Sequence, residues 1–174
     1  MPAPRFVDQL NEQIGHELAA HNQYLACALH YDSQTMPQMA SFFYRQAGEE
    51  RDHAMMMMQY LLDTDAHVVI PAIEATRSEF HDVVEPVALA LEQEKQVTNQ
   101  INALLKTARE ETDFASEQFM QWFVKEQVEE VATMSDLLAV VTRNQGDLND
   151  IEAYVARELG GEAADPTAPR IAGA

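Results

Sequence analysis

The sequence predicts an all-α protein: a four-helix bundle with one long crossover between its second and third helices, and a short fifth helix near the C-terminal end. Three observations carry this. Glycine and proline are scarce, 6 and 7 of 174 residues, and long stretches free of both favour helix. Four long segments repeat core-type residues at alternating three- and four-residue spacing, the signature of one helix face. Between the second and third of these, roughly residues 64 to 82 lack that repeat. A link of that length can run from one end of a bundle to the other.

The elements follow in order. Helix α1 is expected over about residues 6 to 33, with the stripe Leu10, Ile14, Glu17, His21, Tyr24, Ala28, Tyr31. Helix α2, about 36 to 63, carries Met39, Phe43, Gln46, Glu50, His53, Met57, Tyr60, with Thr35 as cap and Pro37 in the first turn. Helix α3, about 84 to 111, carries Val87, Leu91, Glu94, Thr98, Ile101, Leu105, Ala108, opened by Asp82 or Glu85 with Pro86 near its start. Helix α4, about 113 to 143, carries Met120, Phe123, Gln127, Glu130, Met134, Leu137, Val141, with Gly146 as its stop signal. Helix α5, about 147 to 159, opens with Asp147 as cap. Its apolar side, Leu148, Ile151, Tyr154 and Val155, is expected to pack on another subunit. Residues 1–159 are thus read as one domain. The Gly/Ala/Pro-rich tail, 160–174, is expected to be poorly ordered.

Charge narrows the partners. The chain has 11 Lys+Arg against 29 Asp+Glu, net −18 at pH 7. Nucleic acid and anionic membranes are therefore poor partners and cations good ones, while solubility alone also accounts for such a charge. A lone cysteine, Cys27, allows no intrachain disulfide and suits a reducing compartment. The opening MPAPRFVDQL has no apolar segment of a secretory signal, and no apolar run reaches membrane-spanning length. A cytoplasmic location is the expectation.

The four stripes share one anomaly. Each is apolar toward both ends and polar in the middle, and each middle contains a glutamate: Glu17, Glu50, Glu94, Glu130. An ionised carboxylate in an apolar interior costs several kcal/mol unless paired or neutralised. No Lys or Arg lies on any of the stripes to pair with them. Shared protons relieve part of the repulsion, and divalent or trivalent cations relieve it better. Carboxylates with one imidazole form a hard, oxygen-rich donor set that suits iron or manganese rather than Cu(I) or structural zinc. Glu50 and His53, spaced i,i+3, share one helix face and can hold one ion together, with Glu50 placed to bridge to a second. Gln127 and Glu130 repeat that spacing on α4.

The residues that carry this pattern are His16-Glu17 with Tyr24, the EERDH run at 49–53, LEQE at 91–94 and QFMQWFVKEQVEE at 118–130. In that order they resemble a bacterial non-haem ferritin, within the ferritin-like di-iron family. Such bundles usually carry a Glu-x-x-His on two helices. Here only Glu50/His53 has that form, and α4 offers Gln127 and Glu130 instead. Bacterioferritins carry a haem-ligating Met directly after the bridging Glu, where this chain has Arg51. No haem is therefore expected.

The resemblance implies the following roles. Glu17, Glu50 and His53 hold one iron, and Glu50, Glu94 and Glu130 the second, with Gln127 hydrogen-bonding nearby. Glu49, Glu126, Glu129 and Glu130 form a third iron site toward an inner cavity, so Glu130 is open to either assignment. Tyr24 is a hydrogen-bonding or redox-active neighbour, with Trp122 near it. Glu117, with Asp113 second, lines an entry channel; the macrodipole alone also favours an Asp at that helix start. The chain assembles into a homo-oligomeric shell of about 24 subunits. The shell oxidises Fe(II) with O2 or H2O2 and stores a ferric oxyhydroxide mineral. Two other readings are a di-iron peroxidase or oxygenase, which needs a substrate pocket, and a metal-free helical oligomer, which leaves the buried acids unexplained.

Overall fold

The computed structural model describes residues 1–161, 163 and 165–173. Among these residues five helices follow one another: α1 Pro4–Ser33, α2 Pro37–Asp63, α3 Glu85–Glu110, α4 Phe114–Arg143 and α5 Leu148–Glu158. Among the described residues there is no strand. No helix is long and apolar enough to cross a membrane.

The ends of the first three helices share one device. Thr35, Asp65 and Thr112 take left-handed backbone, with φ of 59°, 55° and 57°. Each lies two residues past a helix end and closes it with a pair of reversed bonds. After α1 these are Thr35 N–H to Asp32 O at 3.0 Å and Met36 N–H to Tyr31 O at 3.0 Å. The Asp65/Ala66 and Thr112/Asp113 amides repeat the pattern behind α2 and α3. This is the Schellman closure usually made by glycine. It overturns the expectation for Thr35, which terminates α1 instead of capping α2. The first free amides of α2 are satisfied from a distance: Glu152 of α5 accepts from Gln38 N–H at 2.8 Å and Met39 N–H at 2.9 Å. A carboxylate there also meets the positive end of the α2 dipole.

The other starts are local. Asp82 accepts from Val84 and Glu85 amides at 2.8 and 2.9 Å and so opens α3. Asp113 caps α4 and Asp147 caps α5. Gly146 is not the stop of α4, because Asn144 closes that helix and Gly146 lies in the turn beyond.

The core has two apolar halves. One joins Tyr24–Tyr31 of α1, Met39–Ala47 of α2, Val87–Leu91 of α3 and Met134–Val141 of α4. The other joins Phe6–Ile14, Ala54–Leu61, Val97–Ala108 and Met120–Phe123. Hence α2 and α3 both run from the first half to the second, parallel to each other, and α1 and α4 run the opposite way. The segment from Thr64 to Val84 makes the required crossover. It lies along α1, tied at successive levels: Val69 N–H to Asn11 Oδ1 (2.7 Å), Arg77 N–H to Gln23 Oε1 (2.8 Å) and Tyr31 O–H to Val83 O (2.6 Å). Between the first two ties, Pro71 meets α1 at Gly15, where an added Cβ would stand 2.4 Å from Pro71 Cγ.

Helix α5 was expected to bury its apolar side on another subunit. Ile151 and Val155 are instead buried in the first core half of their own bundle. Leu148 remains exposed. Beyond α5 the described tail residues return along α2 and α4: Asp165 reaches Trp122 and Lys125, Arg170 pairs with Asp63 at 2.7 Å, and Ala172 N–H donates to Met55 O at 3.1 Å.

Candidate metal centre

Between the two apolar halves lies the polar layer that the stripes foretell. Glu17, Glu50 and Glu94 are each 1% exposed, with His53 and Gln127 at 4% and Glu130 at 6%. All six are therefore inside. The helical register delivers them: each sits at the middle of a stripe whose ends are locked in apolar contacts, so rotating one helix outward would expose its core residues as well.

Glu17, Glu50 and His53 each offer a donor atom, and these atoms lie within 4.8 Å of one another. His53 Nδ1 stands 3.4 Å from Glu50 Oε2. Each carboxylate has one oxygen engaged or near a partner and another left bare. Gln13 donates to Glu17 Oε1 at 2.9 Å, while Glu17 Oε2 and Glu50 Oε1 accept from no donor among the described residues. Buried oxygens without donors are rare in folded proteins, because each forfeits its water. A cation bound there would supply what hydrogen bonds do not.

Glu94 is held differently. The Tyr24 hydroxyl donates to its Oε1, and Gln127 Nε2 donates to Oε2 at 3.3 Å. The Gln127 amide is itself oriented by Thr98, whose hydroxyl lies 2.9 Å from Gln127 Oε1. Tyr24 thus sits inside the centre. Trp122 lies beside it, its ring edge against His53 with centroids 5.7 Å apart.

The electrostatics follow from burial. Desolvation, then repulsion by Glu50, lifts the Glu17 carboxyl well above its usual range. Burial first and Glu94 next do the same to Glu50 and Glu130. Glu94 is raised too, against the donated bond from Tyr24. Without a cation these groups are pressed to keep their protons. A bound cation reverses that preference.

Glu130 reaches both neighbourhoods: repulsion from Glu94 and Glu50 places it with the buried set, and it also lines a surface pocket with Glu49, Glu126 and Glu129. That pocket opens between α2 and α4, with Gln46 and Arg45 on one wall and Glu158 from α5 at the rim. Burial, ahead of its neighbours' charges, raises the Glu126 carboxyl. Asp113 and Glu117, expected at an entry channel, have partners within the chain. Asp113 accepts from Ser116 and from the Ala3 amide, and Glu117 Oε1 accepts from Arg109 Nε at 2.7 Å.

Sequence reasoning missed Gln13 and gave Thr98 no role. Gln13 lies one turn before Glu17 on the same side of α1 and is 2% exposed. Its signal was a glutamine at i−4 from a core acid. Thr98 was already on the α3 stripe.

A bundle whose polar mid-layer gathers buried carboxylates and one histidine belongs to the ferritin-like class of metal-binding helical proteins. Comparison with known proteins makes the assignment specific: the ferritin-like domain model matches residues 7–144, and the chain belongs to the ferritin family, whose members store iron. It is 50% identical to ferritin BfrB of Mycolicibacterium smegmatis over 169 residues, spanning 97% of this chain and 93% of that one. It is 34% identical to a bacterial non-heme ferritin of Staphylococcus aureus over 160 residues, 92% of this chain and 96% of that one. An open pore ferritin from the archaeon Archaeoglobus fulgidus superposes with a TM-score of 0.86 at 29% identity, covering 90% of this chain and 96% of that one.

Proposed function

We propose that this chain is a ferroxidase subunit of an iron-storage cage. It takes Fe(II) as substrate, oxidises it at a two-ion centre inside each bundle, and holds the product as ferric oxyhydroxide within the shell. The observation that carries this is the pair of donor-less buried oxygens, Glu17 Oε2 and Glu50 Oε1, on two carboxylates that cluster with His53. Glu17, Glu50 and His53 take one ion. Glu50, Glu94 and Glu130 take the second, with Gln127 fixing Glu94. Tyr24 holds Glu94 Oε1 and stands ready to give or take a proton there.

Two Fe(II) ions each give up one electron. O2 takes both electrons with two protons to become H2O2, or H2O2 takes them with two protons to become two waters. Hard carboxylate donors favour the higher charge of Fe(III). The acids Glu49, Glu126, Glu129 and Glu130 line the way from the centre to the α2–α4 surface and form a third iron site. We assign that face to the cavity side, Glu117 and then Asp113 to the entry channel, and the particle to the cytoplasm. Nucleic acid and membrane are no part of its work. No haem is proposed: Arg51, after Glu50, is exposed and pairs with Asp52 at 2.6 Å.

The test is an anaerobic Fe(II) titration followed by O2. The wild type should show a break at two ions per chain and rapid oxidation, and Glu50→Ala with His53→Ala should lose both. Full-rate oxidation by that double variant would refute the assignment. Gel filtration checks the cage: chains of 19.6 kDa should elute as a particle of roughly half a megadalton.

A further inference from the structure

Trp122 connects the candidate metal centre to the segment beyond α5. Its inner edge meets the His53 ring at 74°, and Phe123 meets the same ring at 77°, both with centroids 5.7 Å away. The two rings also touch each other, with centroids 5.0 Å apart, so together they form one aromatic wall on one side of the imidazole. The two rings differ in support. Phe123 is 2% exposed and held by the core. Trp122 is only half-buried, and its indole N–H points outward to Asp165 Oδ2 at 3.2 Å.

Asp165 is built to receive it. Its Oδ1 accepts from the Thr167 amide at 2.8 Å and the Thr167 hydroxyl at 2.6 Å, while Lys125 Nζ lies 3.3 Å from Oδ2. Those bonds, led by the Thr167 hydroxyl, hold the carboxyl far below its usual range, so it stays an anionic acceptor. Lys125 also reaches Glu129 of the acidic pocket at 3.8 Å. Further along, Ala168 and Ile171 pack on the second core half, Arg170 pairs with Asp63, and Ala172 N–H ties to Met55 O. The segment crosses α4 and then α2 like a strap.

We propose that residues 165–172 form a strap whose Asp165 is a positioning residue for the metal centre, acting through the Trp122 indole on the His53 ring. This rests on the reading of Glu17, Glu50 and His53 as a metal site. Groups that orient a ligand imidazole commonly change metal affinity by about 10- to 100-fold when removed. Asp165 acts through one intervening ring, which places the expected effect at the lower end.

Trp122 is the chain's one tryptophan, so tryptophan emission comes from this side chain alone. The experiment compares the full-length assembled protein with Asp165→Ala and Asp165→Asn. Emission is recorded without metal, and Co(II) titrations follow the ligand-field absorption of the centre. Asp165→Ala should shift the emission and weaken Co(II) binding by about tenfold. Asp165→Asn, whose side-chain carbonyl still accepts from the indole, should stay within about threefold of wild type. The strap is overturned if emission does not move in Asp165→Ala. It is overturned equally if emission moves while Co(II) affinity stays, or if Asn behaves as Ala in both readouts. A wild-type protein that binds no Co(II) at the centre would sink the metal-site reading instead, leaving the emission arm to judge the strap contact.

Discussion

The middle of the bundle and its two ends follow the same spacing rule and obey opposite energetics. At the ends, the stripe positions are Leu10, Phe43, Met57, Met134 and their neighbours, and each buried side chain adds to stability. In the middle, the same positions hold Glu17, Glu50, Glu94 and Glu130, and burial works against the charged forms. Periodicity therefore specifies the bundle, and residue type at one level specifies what it does. The ends must carry enough surplus to hold the middle in a state it would not choose alone.

The largest effect expected at an end is Leu10→Ala, a fully buried side chain two turns from Glu17. It should cost about 2–5 kcal/mol, read by denaturant unfolding, with Fe(II) oxidation per folded chain unchanged. Glu50→Gln in the middle should do the reverse. Oxidation should fall on the order of a hundredfold in stopped-flow, while the metal-free protein melts higher at neutral pH because the cost of keeping a buried carboxyl protonated is gone. A metal-free melting point that drops in Glu50→Gln would break the comparison.

The pH dependence sharpens it further. The Glu17, Glu50, Glu94 and Glu130 carboxyls are raised from an ordinary value of 4.5. A raised carboxyl favours the folded, protonated form below that value and loses its contribution as pH climbs through the raised range. The metal-free melting temperature should therefore fall as pH rises from about 5 to 8, and saturating Co(II) should flatten or invert the slope. Removing the bond to Glu17 is milder: Gln13→Leu should weaken metal binding by about tenfold in calorimetry, with Gln13→Asn recovering part of it. The smallest effect belongs to an end. Glu152→Ala strips the distant cap of α2 and should cost about 1 kcal/mol by thermal melting, with oxidation untouched.

The same contrast explains what could be read in advance. Helix order, the long crossover and the buried acids were legible because each is written in spacing along a single segment. Glu50 and His53 were legible for that reason, since i,i+3 on one helix fixes their neighbourhood. Contacts between distant segments were not. Glu152 on the α2 amides, Asp165 on Trp122 and the burial of Ile151 in its own bundle join positions tens of residues apart, and no periodicity encodes them. Thr35 misled because a hydroxyl before Pro37 looks like a cap, while the backbone used that residue to close the previous helix. Glu49, Glu126, Glu129 and Glu130 line one pocket between α2 and α4, and Glu158 at its rim depends on where α5 folds back.

Gly15 gives the long connection an unforgiving partner. A methyl group at that position would collide with the rigid ring of Pro71, so position 15 has no allowed side chain while proline stays opposite. The two sites form a matched pair, and in a randomised library they should change together or not at all. An alanine at 15 should survive selection for assembled particles mainly in clones where 71 has shrunk to glycine or alanine. The loop would then be a gauge fitted to the helix two residues short of Glu17, and not a slack tether.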